Sequence, residues 1–221
     1  MSIAANIQEL KESIPHSVTL LAVSKTHPVA KIAEAYEAGQ IDFGENRVQE
    51  LVQKQGLLPA TIRWHLIGHL QTNKVKEIAP FVSLIHSVDS PRLLEEINKQ
   101  ALRNNRRIDC LLQIYIASEE SKFGLDFLEA TELLDSDAFA AMQGIRICGV
   151  MGMATLTEDS VRIRTEFTGL KNFFHTLKER PVSEKFNPYT LSMGMSSDYQ
   201  IAIEEESTLI RLGSAIFGSR S

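Results

Sequence analysis

The chain alternates between two patterns. Eight short runs rich in β-branched and aromatic residues are separated by longer stretches with apolar residues at helical spacing, within 221 residues. Strict alternation of this kind demands a parallel sheet, because a parallel neighbour is reached only by a crossover long enough to hold a helix. The predicted strands are residues 19–25, 41–44, 63–68, 82–87, 109–116, 145–151, 189–194 and 208–216. The intervening helices are predicted at 29–38, 46–55, 72–79, 91–103, 125–134, 158–178 and 197–206, with an extra N-terminal helix at 4–13. Ser90 and Pro91 mark one start, as N-cap and first helical residue. Eight such units fit a single closed (β/α)8 TIM barrel of the α/β class over 1–221. An open doubly wound sheet is the alternative. No linker-like stretch divides the chain.

Composition narrows the classes of function. Hydrophobic residues make up 43% and charged residues 23%, as in an ordinary globular protein. No apolar run approaches the roughly 18 residues of a membrane span, so no membrane partner is expected. Lys+Arg 23 against Asp+Glu 28 gives −5, a poor match to nucleic acid. The basic run LRNNRR at 102–107 reads as a solvated helix end. The N-terminus carries no secretion-signal pattern, which points to the cytoplasm. Cys110 and Cys148 lie in apolar strand-like runs without metal spacing and read as buried thiols. With no long apolar stripe or heptad, a monomer is expected.

In a barrel the chemistry gathers at the C-terminal ends of the strands. The first strand ends in Ser24-Lys25-Thr26-His27. An ammonium at the end of an apolar run is costly. Either a carboxylate pairs with Lys25, or its pKa falls and it serves as a nucleophile, typically through a Schiff base. The third strand offers His65 and His69. Four residues along a strand span roughly 13 Å, too far to share a metal ion, so a hydrogen-bonded or lining role is expected. The last two strand ends, LSMGMSSD (191–198) and RLGSAIFG (211–218), combine small residues, hydroxyls and backbone N–H groups, the material of an anion cradle. Ser196, Ser197 or Asp198 would suit the N-cap of the helix that follows. Arg211 stands inside an apolar strand, either paired with a carboxylate or donating to a ligand. A buried lysine, a phosphate cradle and an arginine in one mouth would suit pyridoxal 5′-phosphate (PLP).

The segments AVSKTHP, DFGENRVQE, WHLIGHLQTNK, HSVDS, SKFGL, GVMGM, LSMGMSSD and RLGSAIFGSR, in that order, resemble the pyridoxal-phosphate homeostasis protein family. The resemblance implies a barrel like the N-terminal domain of alanine racemase and a PLP-binding protein without established catalysis. By position it implies Lys25 as the Schiff-base lysine and Ser192, Met193, Gly213 and Ser214 as phosphate contacts. It implies Arg211 facing the pyridine nitrogen and Asn46, of the FGEN motif, near the ring. Lys122 matches the lysine of the SK-x-G motif, with a role in cofactor transfer implied. Two departures stand out: His27 replaces a second lysine, and Ser214 replaces a commoner threonine. The expected function is to hold PLP and to buffer or deliver it, with apo PLP-dependent enzymes as recipients. An amino-acid racemase-like enzyme and a sugar-phosphate aldolase are the alternatives. A chain that stops at Ser221 without a β-rich second domain favours the carrier, since racemases draw one catalytic face from such a domain.

Overall fold

The computed structural model describes residues 2–117 and 123–218. Eight parallel strands close into a barrel in chain order. They are β1 (Thr19–Val23), β2 (Asp42–Glu45), β3 (Arg63–Leu66), β4 (Leu84–Val88), β5 (Ile108–Ile114), β6 (Ile145–Gly152), β7 (Phe186–Ser192) and β8 (Leu209–Leu212). The seam is made by β8 against β1, with Leu21 beside Arg211. The predicted barrel is therefore observed, and the open sheet is not.

Ten α-helices surround the strands among the described residues. They are α1 (Ile3–Ser13), α2 (Val29–Glu37), α3 (Val48–Gln55), α4 (Val75–Ile78), α5 (Pro91–Arg103), α6 (Phe127–Asp135), α7 (Asp137–Ala141), α8 (Ser160–Lys178), α9 (Tyr199–Glu204) and α10 (Ser214–Phe217). The Ser90 hydroxyl accepts from Leu93 N–H at the start of α5, as its sequence predicts. The stretch 72–79 is shorter than a full helix: a 3₁₀ turn, Thr72–Lys74, leads into α4.

Five predicted strands stop early, by two to four residues, and in the first and last the local cause is plain. The first ends at Val23, because Thr26 takes a left-handed backbone (φ 66) and turns the chain. The last ends at Leu212, because Gly213 adopts a helical-side conformation and α10 follows. The apolar run AIF, which reads as strand, is a helical turn instead.

The apolar residues form two layers. A large cluster fills the space between strands and helices, with Phe43, Phe167, Ile78 and Leu94 fully buried in it. A smaller cluster, Leu21, Leu84, Leu111, Cys148, Met151 and Leu209, lies within the barrel. Residues two apart on a strand share a face, so Arg211 lies on the same interior face as Leu209. Cys110 and Cys148 are free and buried, and burial raises both thiols, Cys148 to about 11. No helix among the described residues is long and apolar enough to cross a membrane.

Candidate functional site at the carboxyl ends of the strands

A cavity of about 340 Å³ opens at the carboxyl ends of the strands. Its lining includes Lys25, Asn46, Arg211, Gly213 and Ser214, residues far apart in sequence that the barrel brings together. Met195, Ser196 and Ser197 line it as well, as does His27, which stacks on Phe217 with ring centroids 4.6 Å apart.

The lysine wall is built by β1, β2 and α3. Lys25 sits two residues beyond β1, half-buried. Its neighbours are fixed by charge. The Ser24 hydroxyl donates to Glu45 Oε1 at 2.5 Å. The buried Lys54 ammonium donates to Ser24 O and Glu45 Oε1, each at 2.8 Å, and to Glu50 Oε1 at 2.6 Å. Glu50 in turn accepts Thr26 N–H at 2.5 Å, which holds that residue in its left-handed conformation. Burial raises the Glu45 carboxyl, and hydrogen bonds from Lys54 and Ser24 pull it partway back. Asn46 follows Glu45, and its Oδ1 is buried without a partner. The β3 loop packs against it: a Cβ on Gly68 would lie 2.3 Å from Asn46 O, so only glycine fits there.

The arginine wall is built by β6, β7 and β8. The Arg211 side chain is buried. Its Nη1 donates to Ser192 O at 2.9 Å and Ser192 Oγ at 2.7 Å, and its Nη2 to Gly152 O at 3.0 Å. No carboxylate forms an ion pair with it among the described residues. Burial lowers this guanidinium to about 10, with the Asp198 charge acting in the opposite direction, so it remains a cation at neutral pH.

Ser192 and Met193 do not line the cavity. Ser192 is fully buried beneath Arg211. Met193 packs into the outer apolar layer, and its N–H goes to Leu209 O at 3.2 Å. The chain turns at Gly194 (φ 97), where a Cβ would meet Ala202 Cβ at 2.6 Å, and only then does Met195–Ser197 reach the cavity. Asp198 occupies the N-cap position of α9 without capping it. Its carboxylate instead accepts Met195 N–H at 2.6 Å and fixes this loop. Ser196 Oγ accepts Gly213 N–H at 3.4 Å and ties the two cradle loops together.

The two histidines of the third strand part company. His65 turns inward, where its Nδ1 lies 3.0 Å from His86 Nε2. His69 is exposed, 3.1 Å from Asp89. Lys122 lies outside the described residues. The sequence reading missed His86, Glu45 and Lys54. A signal existed for His86, a polar residue inside the apolar run LIHSV, and a fainter one for Lys54, which stands three residues after the buried Leu51.

The family model for the alanine racemase N-terminal domain matches residues 1–221. A pyridoxal phosphate homeostasis protein of Pasteurella multocida is 35% identical over 236 residues, covering 100% of this chain and 98% of the relative. Its counterpart in Escherichia coli K12 is 36% identical, with 99% and 97% covered. The chain belongs to this family. Among solved structures, PipY of Synechococcus elongatus PCC7942 without PLP superposes with a TM-score of 0.91 at 37% identity, covering 98% of this chain and 100% of PipY. PipY with PLP bound superposes at 0.87. An alanine racemase of Clostridium difficile 630 shares the fold at 12% identity and a TM-score of 0.76, with 57% of its chain covered.

Proposed function

We propose that this protein binds PLP in the cavity at the strand ends and serves PLP homeostasis by holding the cofactor and delivering it to apo-enzymes. Family membership and the PLP-bound PipY relative support the reading. The observation within this chain that carries it is the set of polar groups in one cavity: an amine from Lys25, a buried cation from Arg211, the unpartnered acceptor Asn46 Oδ1, and serine-bearing loops at Ser196–Ser197 and Gly213–Ser214. These residues fit the group. The serine loops offer hydroxyls and main-chain N–H groups to a phosphate, and the volume lies within the range of small-ligand sites.

When bound, PLP supplies an aldehyde that condenses with an amine and a ring that accepts electrons. The chain's own residues set how far that chemistry goes. Lys25 would supply the amine. Thr26 and Ser24, anchored to Glu50 and Glu45, hold the backbone on both sides of it. Arg211 would present a fixed positive donor to the ring nitrogen. A neighbouring cation disfavours a second positive charge there, which keeps the ring a weak electron sink and favours storage over turnover. Gly213, Ser214, Ser196 and Ser197 would seat the phosphate, with Ser192 acting from below through Arg211. The whole chain, 1–221, serves as one binding unit.

The test is an absorbance titration of the purified protein with PLP, with and without Lys25→Ala. The expected result is a visible band that the variant lacks, together with transfer of the cofactor to an added apo-enzyme. A wild-type protein that takes up no PLP would sink the proposal.

A further inference from the structure

A line of polar side chains crosses the barrel interior beneath the cavity. Arg211 Nη1 lies 2.7 Å from Ser192 Oγ. Ser192 Oγ lies 3.1 Å from His86 Nδ1, and His86 Nε2 lies 3.0 Å from His65 Nδ1. His65 Nε2 reaches Asp42 Oδ1 at 3.4 Å. Arg63 closes the line at the opposite end of the barrel with two bonds to Asp42, at 2.6 and 2.5 Å. His65, His86, Ser192 and Arg211 are all buried.

With both imidazoles neutral, the chemistry of the two ends orders everything between them. A guanidinium can only donate and a carboxylate can only accept. Arg211 donates to the Ser192 oxygen, and the Ser192 proton is available to His86 Nδ1. His86 then carries its own proton on Nε2 and donates it to His65 Nδ1. His65 carries its proton on Nε2 and points it at Asp42. Every link then has one donor and one acceptor. Burial opposes protonation of His86, as do the Arg211 charge and any charge placed on His65.

We propose that Asp42, His65, His86 and Ser192 form a one-directional hydrogen-bond relay that fixes the tautomer of both histidines and positions Arg211 as the cation of the cavity. The relay holds Arg211 in place through neutral groups, without placing a carboxylate where the ligand sits. None of the three residues below Ser192 lines the cavity, so they are positioning residues. The claim about binding rests on the reading that this cavity seats PLP; the claim about tautomers does not.

Two measurements on the full chain test it. Long-range ¹H–¹⁵N spectra of the ¹⁵N-histidine-labelled protein at neutral pH should place the His86 proton on Nε2. A proton on Nδ1, or a doubly protonated His86, overturns the relay. The second measurement is PLP titration of two variants. His65→Leu removes the acceptor for His86 and should weaken PLP binding about tenfold, the scale of one lost hydrogen bond to a buried network. His65→Gln, which keeps an acceptor and a donor, should restore affinity to within about twofold. Equal affinity in His65→Leu and wild type overturns the positioning role. If wild type takes up no PLP, the cofactor reading fails, and the His86 spectrum still decides the relay.

Discussion

The two walls of the cavity solve opposite problems. On the lysine wall the Lys25 side chain is half-buried while its neighbours are locked by a cluster of charges, the buried Glu45 and Lys54 with the half-buried Glu50. On the arginine wall the side chain itself is locked, by two carbonyls and the Ser192 hydroxyl, which His86 contacts in turn. A group that must form and break a bond needs freedom at its tip and rigidity at its root. A group that must only keep its charge and place gains from being held at every donor. The first wall therefore depends on compensated charge, and the second on hydrogen-bond geometry.

That contrast makes predictions of different size. The largest effect belongs to Lys54→Met. It leaves Glu45 buried without its cation and should cost about 3–5 kcal/mol in a denaturant melt at pH 7. Its sign with pH is fixed. The Glu45 carboxyl is already raised by burial, and losing Lys54 raises it further. A carboxyl with a folded pKa above its unfolded value, about 4.3, contributes stability that is lost as pH rises through the folded value. The deficit of Lys54→Met should therefore shrink as pH falls toward 5. A deficit that is flat with pH would mean that Glu45 is not the group left stranded.

Arg211→Met should show the reverse balance. Removing a buried cation relieves its desolvation, while Ser192 O and Gly152 O lose a donor, so the net cost is about 1–2 kcal/mol. PLP affinity should fall about hundredfold, as expected for the loss of a charged hydrogen bond and its field. A variant that unfolds as readily as Lys54→Met would erase the distinction between the walls.

Asp42→Asn tests the far end of the arginine wall. Burial pushes the Asp42 carboxyl up, but hydrogen bonds from His65 and Arg63 outweigh it and leave it below its ordinary value. Such a group contributes stability above its unfolded pKa, about 3.9, that is lost as pH falls through the folded one. The variant should lose about 1 kcal/mol at pH 7 and have a shallower acid limb below about pH 4. An unchanged acid limb would remove Asp42 from the account. The smallest effect is at Thr26. A β-branched residue at φ 66 is strained, and Thr26→Gly should stabilise the fold by about 1 kcal/mol once the entropy of glycine is deducted. A loss of stability would mean that the threonine side chain contributes more than the strain costs.

Much of this was legible in the residue order. Period and punctuation give the barrel, because each strand–helix unit carries its own local signals, such as Ser90-Pro91. They also place Lys25, Asn46 and Arg211 at or near strand ends, where the fold gathers them. Depth around the last two strands was not legible. SMGM and SSD read equally well as cradle, and only the turn at Gly194 decides that Met195–Ser197 reaches the cavity while Met193 turns outward. The His65–His86 pairing spans two strands and depends on register. Lys54 shares the inward row of α3 with Val48 and Leu51, but a lysine reads as solvated by type, and only the buried Glu45 opposite gives it a partner.

The account stands most directly on where the cofactor attaches. Borohydride treatment of the PLP-loaded protein, followed by peptide mapping, should place the reduced adduct on Lys25. An adduct on another lysine, such as Lys54, with Lys25 unmodified, would contradict it.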